Sequence, residues 1–368
     1  MLRPVALVLL LLAPLGALAV ETLRIAIEDT GSEVRVSGKG LVSGPDSEEA
    51  TFTPVASGQA IIRRKGGRLE VNGTLVEGDS VRFRAGVSDD SAAPGTEPLK
   101  AGAAQVRGDV VVRAHHRNSL QLINVIPLED YLAAVLGSEM PVSFPVEALK
   151  AQAVAARTYA LQKKLDAYSN DFHLGSSVLH QVYGGVNRED PRTRAAVEAT
   201  RGQVLTYELA PIEAYFHASC GGRTESGFDA LQRSLPYLRP VDCPCGKLPA
   251  SRWTATLSDA DIKAALRHPA QGLKVATRTR TNRVTRVTLG DGASMDGVEL
   301  RRKLGYTRLK SLDFDVERTE RGYVFTGRGY GHGAGLCQWG AKALADKGRE
   351  YREILSHYYP GAELQQLY

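Results

Sequence analysis

The chain has 368 residues, 43% of them hydrophobic and 24% charged, with a formal net charge of +5. That length allows about two domains and a sizeable core. The mild basicity suits an anionic polymer without selecting one, and neither an internal repeat nor, beyond the N-terminus, an apolar stretch long enough to span a bilayer is present.

Residues 1–19, MLRPVALVLLLLAPLGALA, carry one arginine, an apolar core of signal-peptide length and a small-residue cleavage box at Ala17-Leu18-Ala19. They predict an exported chain starting near Val20, with a net charge of +4 once Arg3 is removed. Pro4, Pro14 and Gly16 weaken the competing reading of a membrane anchor. Short alternating runs at 23–27 and 34–36 predict a small β module over 20–105, ending in a Gly-, Ala-, Ser- and Pro-rich connection at 86–105. Strands are expected at 110–112 and 120–125. Leu128, Tyr131, Leu132, Val135 and Leu136 then fall at helical spacing.

Pro141 breaks that helix, and a second, rich in Ala, Leu, Gln and Lys, is expected over 147–165 with Pro145 in its entry turn. A third starts at Asp190-Pro191 and stops by Gly202. Strand-like runs return at 203–215 and 275–289, and two short helices close the chain around 341–347 and 351–358. The predicted class is α+β: a helical region packed with β-rich segments over 106–368, plus the N-terminal β module.

Residues 327–342 read GRGYGHGAGLCQWGAK, with Gly327, Gly329, Gly331, Gly333 and Gly335 at alternate positions around His332. Backbone this bare lets a ligand or another segment approach closely. A P-loop is excluded because no Lys-Ser/Thr pair follows. In Leu136-Gly137-Ser138-Glu139-Met140-Pro141, a carboxylate ends an apolar helix, where the helix dipole and apolar neighbours both favour its protonated form. Glu139 is therefore a candidate general acid, or else an ordinary glutamate facing water. The run 278–286, with Arg278, Arg280, Arg283 and Arg286, lacks the interleaved aromatics of a nucleic-acid surface; solvated strand faces or contact with an anionic glycan fit it better.

Several separated motifs, in order, resemble the stage II sporulation protein D family and its amidase-enhancer relatives. They are VIPLEDYL from Val125, Gly137-Ser138-Glu139-Met140-Pro141, EALKAQAVAARTY from Glu147, HQVYGG from His180, YFHASCGGRT from Tyr215, and Gly331-His332-Gly333 through Gln338-Trp339-Gly340-Ala341. The resemblance spans roughly 106–368; residues 20–105 match nothing nameable. It implies a peptidoglycan lytic transglycosylase that cleaves between N-acetylmuramic acid and N-acetylglucosamine, especially in strands stripped of peptides, with Glu139 as its catalytic glutamate. A single acid suffices, because the sugar's own C6 hydroxyl closes a 1,6-anhydro ring. A second reading is a non-catalytic, peptidoglycan-binding enhancer of a cell-wall amidase. The implied partners are glycan strands and an amidase, not nucleic acid, with membrane contact only through an uncleaved signal.

Supporting roles fall to Ser138, Gln152, Tyr183, His332 and Gln338 as substrate-binding residues. Tyr159 offers the same chemistry, and Gln152, Tyr159 and Tyr183 serve equally well as core anchors. Lys150 and Arg157 share a helical face with Val154 and Leu161; they either meet lactyl carboxylates or form a solvated basic stripe. Cys220, Cys243, Cys245 and Cys337 admit two disulfides, as in exported chains. Alternatively all four bind a structural zinc ion, with His217 as substitute ligand, since Cys243-Pro244-Cys245 is too close for an easy mutual bridge.

Overall fold

The computed structural model describes residues 21–47, 49–86, 97–116, 118–168, 170–176, 181–267 and 272–368. The expected leader, half of the connection at 86–105, and His180 lie outside them. The described residues form eight α-helices: α1 (Leu128–Glu139), α2 (Val146–Asp166), α3 (Pro191–Glu198), α4 (Gly227–Leu231), α5 (Asp259–Leu266), α6 (Gly297–Leu304), α7 (Gln338–Ala345) and α8 (Tyr351–Tyr358). With several sheets beside them, the fold is α+β. No described helix is long and apolar enough to cross a membrane.

Proline punctuates the helical region. Pro127 precedes α1 and Pro145 precedes α2, each in an extended conformation that a helix interior would not accept. Asp190 caps α3 through a capping box with Thr193. From Ala148 to Leu161, α2 is buried on nearly every side apart from half-buried Lys150, its alanines letting α1, α3, α7 and α8 pack closely around it. A helix enclosed in this way has no solvated face to carry a stripe.

The strand Thr22–Thr30 pairs antiparallel with Ser119–Pro127, which pairs with Asp109–His115, which in turn pairs with Ser80–Arg84. Segments from both sides of residue 105 thus share one seven-stranded sheet. They also share the main hydrophobic core with α1 and α2.

A second core lies within residues 252–328, where Trp253, Leu257, Ile262, Leu300, Phe314 and Phe325 are buried together. The chain leaves the first core at Ser251 and returns at Gly329, whose N–H donates to the Ser251 carbonyl at 2.6 Å. Adjacent ends of this kind mark an inserted module. Fully extended across its sheet, Arg252–Leu257 and Asp313–Thr319 flank the central strand Gly322–Arg328. Arg283 fastens the module to the first core: its buried guanidinium donates to the carbonyls of Cys220 at 2.9 Å and Arg223 at 3.1 Å.

That role corrects one reading of the arginine run, in which Arg283 belonged to a solvated or glycan-facing strand. Arg278 also has a fixed partner, Asp315, at 2.6 Å.

Candidate active site and cysteine cluster

Glu139 is the last residue of α1, which Pro141 prevents from continuing. Gly137, two residues earlier, allows the short 3-10 turn Gly185–Arg188 to lie against the helix, because a β-carbon there would strike the Arg188 carbonyl. That approach holds the preceding segment over the helix end, where the Val182 N–H donates to Glu139 Oε1 at 2.8 Å. The Gln338 side chain hydrogen-bonds the same carboxyl group. No cation pairs with Glu139 among the described residues. Its pKa is raised from the ordinary 4.5, chiefly because burial disfavours the charged form, and the bonds from Val182 and Gln338 offset this only in part. The half-buried side chain is therefore biased towards carrying a proton.

Gln338 reaches this position as the first residue of α7, directly after Cys337, whose Sγ caps that helix by accepting from the Gly340 N–H at 3.3 Å. Its Nε2 also lies 3.5 Å from Gln152 Oε1. Gln152 is fully buried on α2 with its own Nε2 lacking a partner, so a line of polar side chains runs from the helix interior to the carboxyl.

The remaining expected site residues divide sharply. Ser138 is half-buried beside Glu139 and donates back to the Ala134 carbonyl at 2.9 Å. Lys150 is occupied by Glu147 at 2.8 Å, and its ammonium lies over the Tyr351 ring.

Arg157 is a correction. It is entirely buried, in a bidentate pair with Glu129 at 2.9 and 2.6 Å, and also donates to the Gln203 and Val197 carbonyls. It neither meets glycan nor forms a solvated stripe. Tyr183 is buried and donates to Asn124 Oδ1 at 2.8 Å, and Tyr159 packs edge-on against Tyr215 and Phe216, which makes both anchors of the core.

His332 does not offer a free ring nitrogen. Nδ1 accepts from the Ala334 N–H at 3.1 Å and Nε2 faces the Phe216 carbonyl at 2.9 Å, the pattern of a neutral ring protonated on Nε2. Burial lowers its pKa to about 4, in keeping with that state. The histidine pins the glycine-rich run to the strand Phe216–His217 rather than lining the floor expected for sugar.

Sequence reasoning missed Val182 as a donor to the acid and Glu129 as the partner of Arg157. An acid in the first turn of α1 and an arginine in the middle of an alanine-rich helix were the available signals for the second.

The four cysteines meet. Cys220, Cys243, Cys245 and Cys337 are all buried, and their sulfurs lie within 4.8 Å of one another. None is in a disulfide. Tetrahedral zinc with Zn–S bonds of about 2.3 Å places sulfurs about 3.8 Å apart, so the donor set fits such an ion. Second contacts are in place: the Cys220 N–H donates to Cys337 Sγ at 3.3 Å, and Tyr358 Oη lies 3.1 Å from Cys243 Sγ. Thiol hydrogen bonds from its neighbours pull Cys245 far below the usual thiol range, whereas Cys220 and Cys337 are pushed well above it. Four thiolates cannot share this pocket without a compensating cation.

His217, the expected substitute ligand, stays outside the cluster. Its Nδ1 faces the Ala334 carbonyl at 3.0 Å and its Nε2 is buried without a partner.

Residues 116–207 match the family described as SpoIID, stage II sporulation protein. The chain is 32% identical over 306 residues to stage II sporulation protein D of Bacillus subtilis, covering 77% of this chain and 87% of that protein. It is 33% identical over 275 residues to the protein of the same name from Bacillus amyloliquefaciens, covering 68% and 78% respectively. It is also 33% identical over 290 residues to the amidase enhancer of Bacillus subtilis, covering 63% of this chain but 40% of that protein. With a match that extends over most of both chains, this chain belongs to the stage II sporulation protein D family.

Proposed function

We propose that the protein is an exported peptidoglycan lytic transglycosylase that cleaves N-acetylmuramic acid–N-acetylglucosamine linkages, with Glu139 as its acid and then its base. The observation that carries this reading is Glu139 itself: half-buried, without a cationic partner, and raised in pKa by burial while two hydrogen bonds fix its orientation. A carboxyl tuned upward in this way can donate a proton near neutral pH. The relatives' names, stage II sporulation protein D and amidase enhancer, support a role at the cell wall.

In the proposed reaction Glu139 delivers its proton to the bridging oxygen as the bond from that oxygen to C1 of N-acetylmuramic acid breaks. The resulting carboxylate takes the proton of the same sugar's C6 hydroxyl, whose oxygen bonds to C1 and closes the 1,6-anhydro ring. The proton count on Glu139 is restored, and water is consumed nowhere. Gln338 and the Val182 N–H stabilise the carboxylate between the two transfers. Cys220, Cys243, Cys245 and Cys337 would hold a structural zinc ion, whose role is to fasten Cys337, and with it Gln338, beside α1 and α2.

The name of the amidase-enhancer relative supports a second reading, in which the protein binds glycan and assists a separate amidase without cutting. Purified peptide-free glycan incubated with the wild type and with Glu139→Ala separates the two. Release by the wild type alone supports the enzyme. Equal release by both removes Glu139 from the chemistry, and release by neither favours the binder.

A further inference from the structure

The inserted module carries a feature that cleavage at Glu139 does not use. Across its sheet, Arg252 stands directly opposite Arg328, and Thr254 opposite Thr326. All four side chains are exposed on one face, while Trp253, Phe314 and Gly327 point inward between them. The Trp253 ring covers Gly327, where a β-carbon would collide with it, so the floor beneath the arginines is rigid. These residues, with Asn282, Asp313 and Asp315, line a cavity of about 500 Å³.

Like charges set directly opposite on neighbouring strands are destabilising. Neither Arg252 nor Arg328 has an ion-pair partner among the described residues, although two aspartates are close. Asp315 is taken by Arg278 at 2.6 Å. Asp313 accepts from Asn282 Nδ2 at 2.9 Å, and burial raises its pKa, which reduces its worth as a counter-ion. Arg328 also stands directly opposite Asp313 on its other side, and that carboxylate attracts it, so the repulsion between the two guanidinium groups is offset in part while neither is held in an ion pair among the described residues.

Thr326 and Arg328 project from one face of the strand, which ends at Arg328; Gly329, at a φ of +82°, then turns the chain to Tyr330. Tyr330 is exposed, the Lys310 ammonium lies 5.7 Å from its ring centroid, and its backbone pairs with Ser219 beside the cysteine cluster. Beyond it the chain runs through His332 to Gln338 at Glu139. The arginine pair and Tyr330 thus precede, along one segment of the chain, the glycine-rich run that leads to Gln338.

We infer that Arg252 and Arg328 form a second subsite, which binds the carboxylates of a peptide-free glycan strand while Tyr330 stacks on a sugar ring. The occupant is a sugar polymer with regularly spaced carboxylates, which a peptide-free strand supplies through its lactyl groups. The inference rests on the glycan reading above and adds to it a basis for preferring strands without peptides, since amidation by a stem peptide removes the charge the arginines recognise.

The test measures binding of full-length protein carrying Glu139→Gln, so that strands stay intact, with and without Arg252→Gln and Arg328→Gln. The probes are peptide-free strands and the same strands with their carboxyls reduced to alcohols. The expected result is at least a tenfold loss of affinity for the carboxylated strands on adding the arginine substitutions, with affinity for the reduced strands unchanged within about twofold. Equal affinity of both proteins for carboxylated strands, or equal loss on both kinds of strand, overturns the subsite and leaves the glycan reading standing. Failure of the Glu139→Gln parent to bind either strand removes both. Since the arginines are exposed and oppose one another, thermal melts equal to or slightly above that of the parent are expected for the arginine variants.

Discussion

The two ends of α1 carry the same side chain in opposite electrostatic situations. Glu129, in the first turn, accepts two bonds from the buried Arg157 guanidinium, one from Tyr368 Oη at 2.6 Å and one from the Gly202 N–H, and these hold its pKa below the usual value despite burial. Glu139, in the last turn, has two neutral donors and no cation, so burial prevails and its pKa rises. Burial alone therefore does not identify an acid. What separates the structural carboxylate from the reactive one is whether a full positive charge accompanies it into the interior.

The largest effects come from breaking each end in turn. Arg157→Met leaves Glu129 buried without its cation and is expected to lower stability by about 3–5 kcal/mol in denaturant unfolding. Glu139→Gln should leave the unfolding midpoint at neutral pH unchanged or slightly higher while cutting glycan release by about 10²–10⁴-fold. A stability loss at Glu139 as large as that at Arg157 would erase the distinction.

Cys337→Ser is expected next in size. It should abolish stoichiometric zinc in protein purified without a histidine tag and lower the melting temperature by several degrees, because Cys337 both belongs to the cluster and caps α7. Metal-free wild type with four titratable thiols and an unchanged melt would contradict the zinc assignment.

Gln338→Ala perturbs the Glu139 end alone. Its side chain favours the carboxylate, so its removal should raise the pKa of Glu139 further and move the alkaline limb of the pH–rate profile upward, with a rate loss of about tenfold. A profile that keeps its limb would remove Gln338 as a partner of the acid.

The smallest effect is on the pH dependence of stability. Because Glu129 has a lowered folded pKa, its contribution is present above the ordinary 4.5 and is lost as pH falls through the folded value. Glu139 works in the other direction: stability declines as pH rises from 4.5 through its raised value, and Glu139→Gln should flatten that decline. Unfolding curves measured across the acid and neutral range check both signs.

Much of the helical region was legible because proline and capping residues mark its ends. Pro127, Pro141, Pro145 and Asp190-Pro191 bracket α1, α2 and the start of α3 closely; α3 ends at Glu198, before the expected stop at Gly202, because its last carbonyls bond to Ala199 and Thr200 in a tighter turn. Position Glu139 was readable from its local motif, but its partners were not, since Val182 and Gln338 arrive from distant segments. Arg157 was misread because helical spacing shows which residues share a face without showing that neighbours enclose it. The inserted core went unrecognised although Ser258 with Asp261, and Asp296 with Gly305, give the cap and stop signals of α5 and α6. Those helices are short, and their apolar faces acquire meaning only against strands far along the chain.

The ends of the released fragments record what Glu139 does with its proton. Peptide-free glycan digested by the wild type should yield fragments ending in 1,6-anhydro-N-acetylmuramic acid, each lighter by one water than its hydrolytic counterpart, and Glu139→Gln should yield almost none. Fragments bearing only reducing ends would show that water, not the C6 hydroxyl, attacks, and would contradict the account.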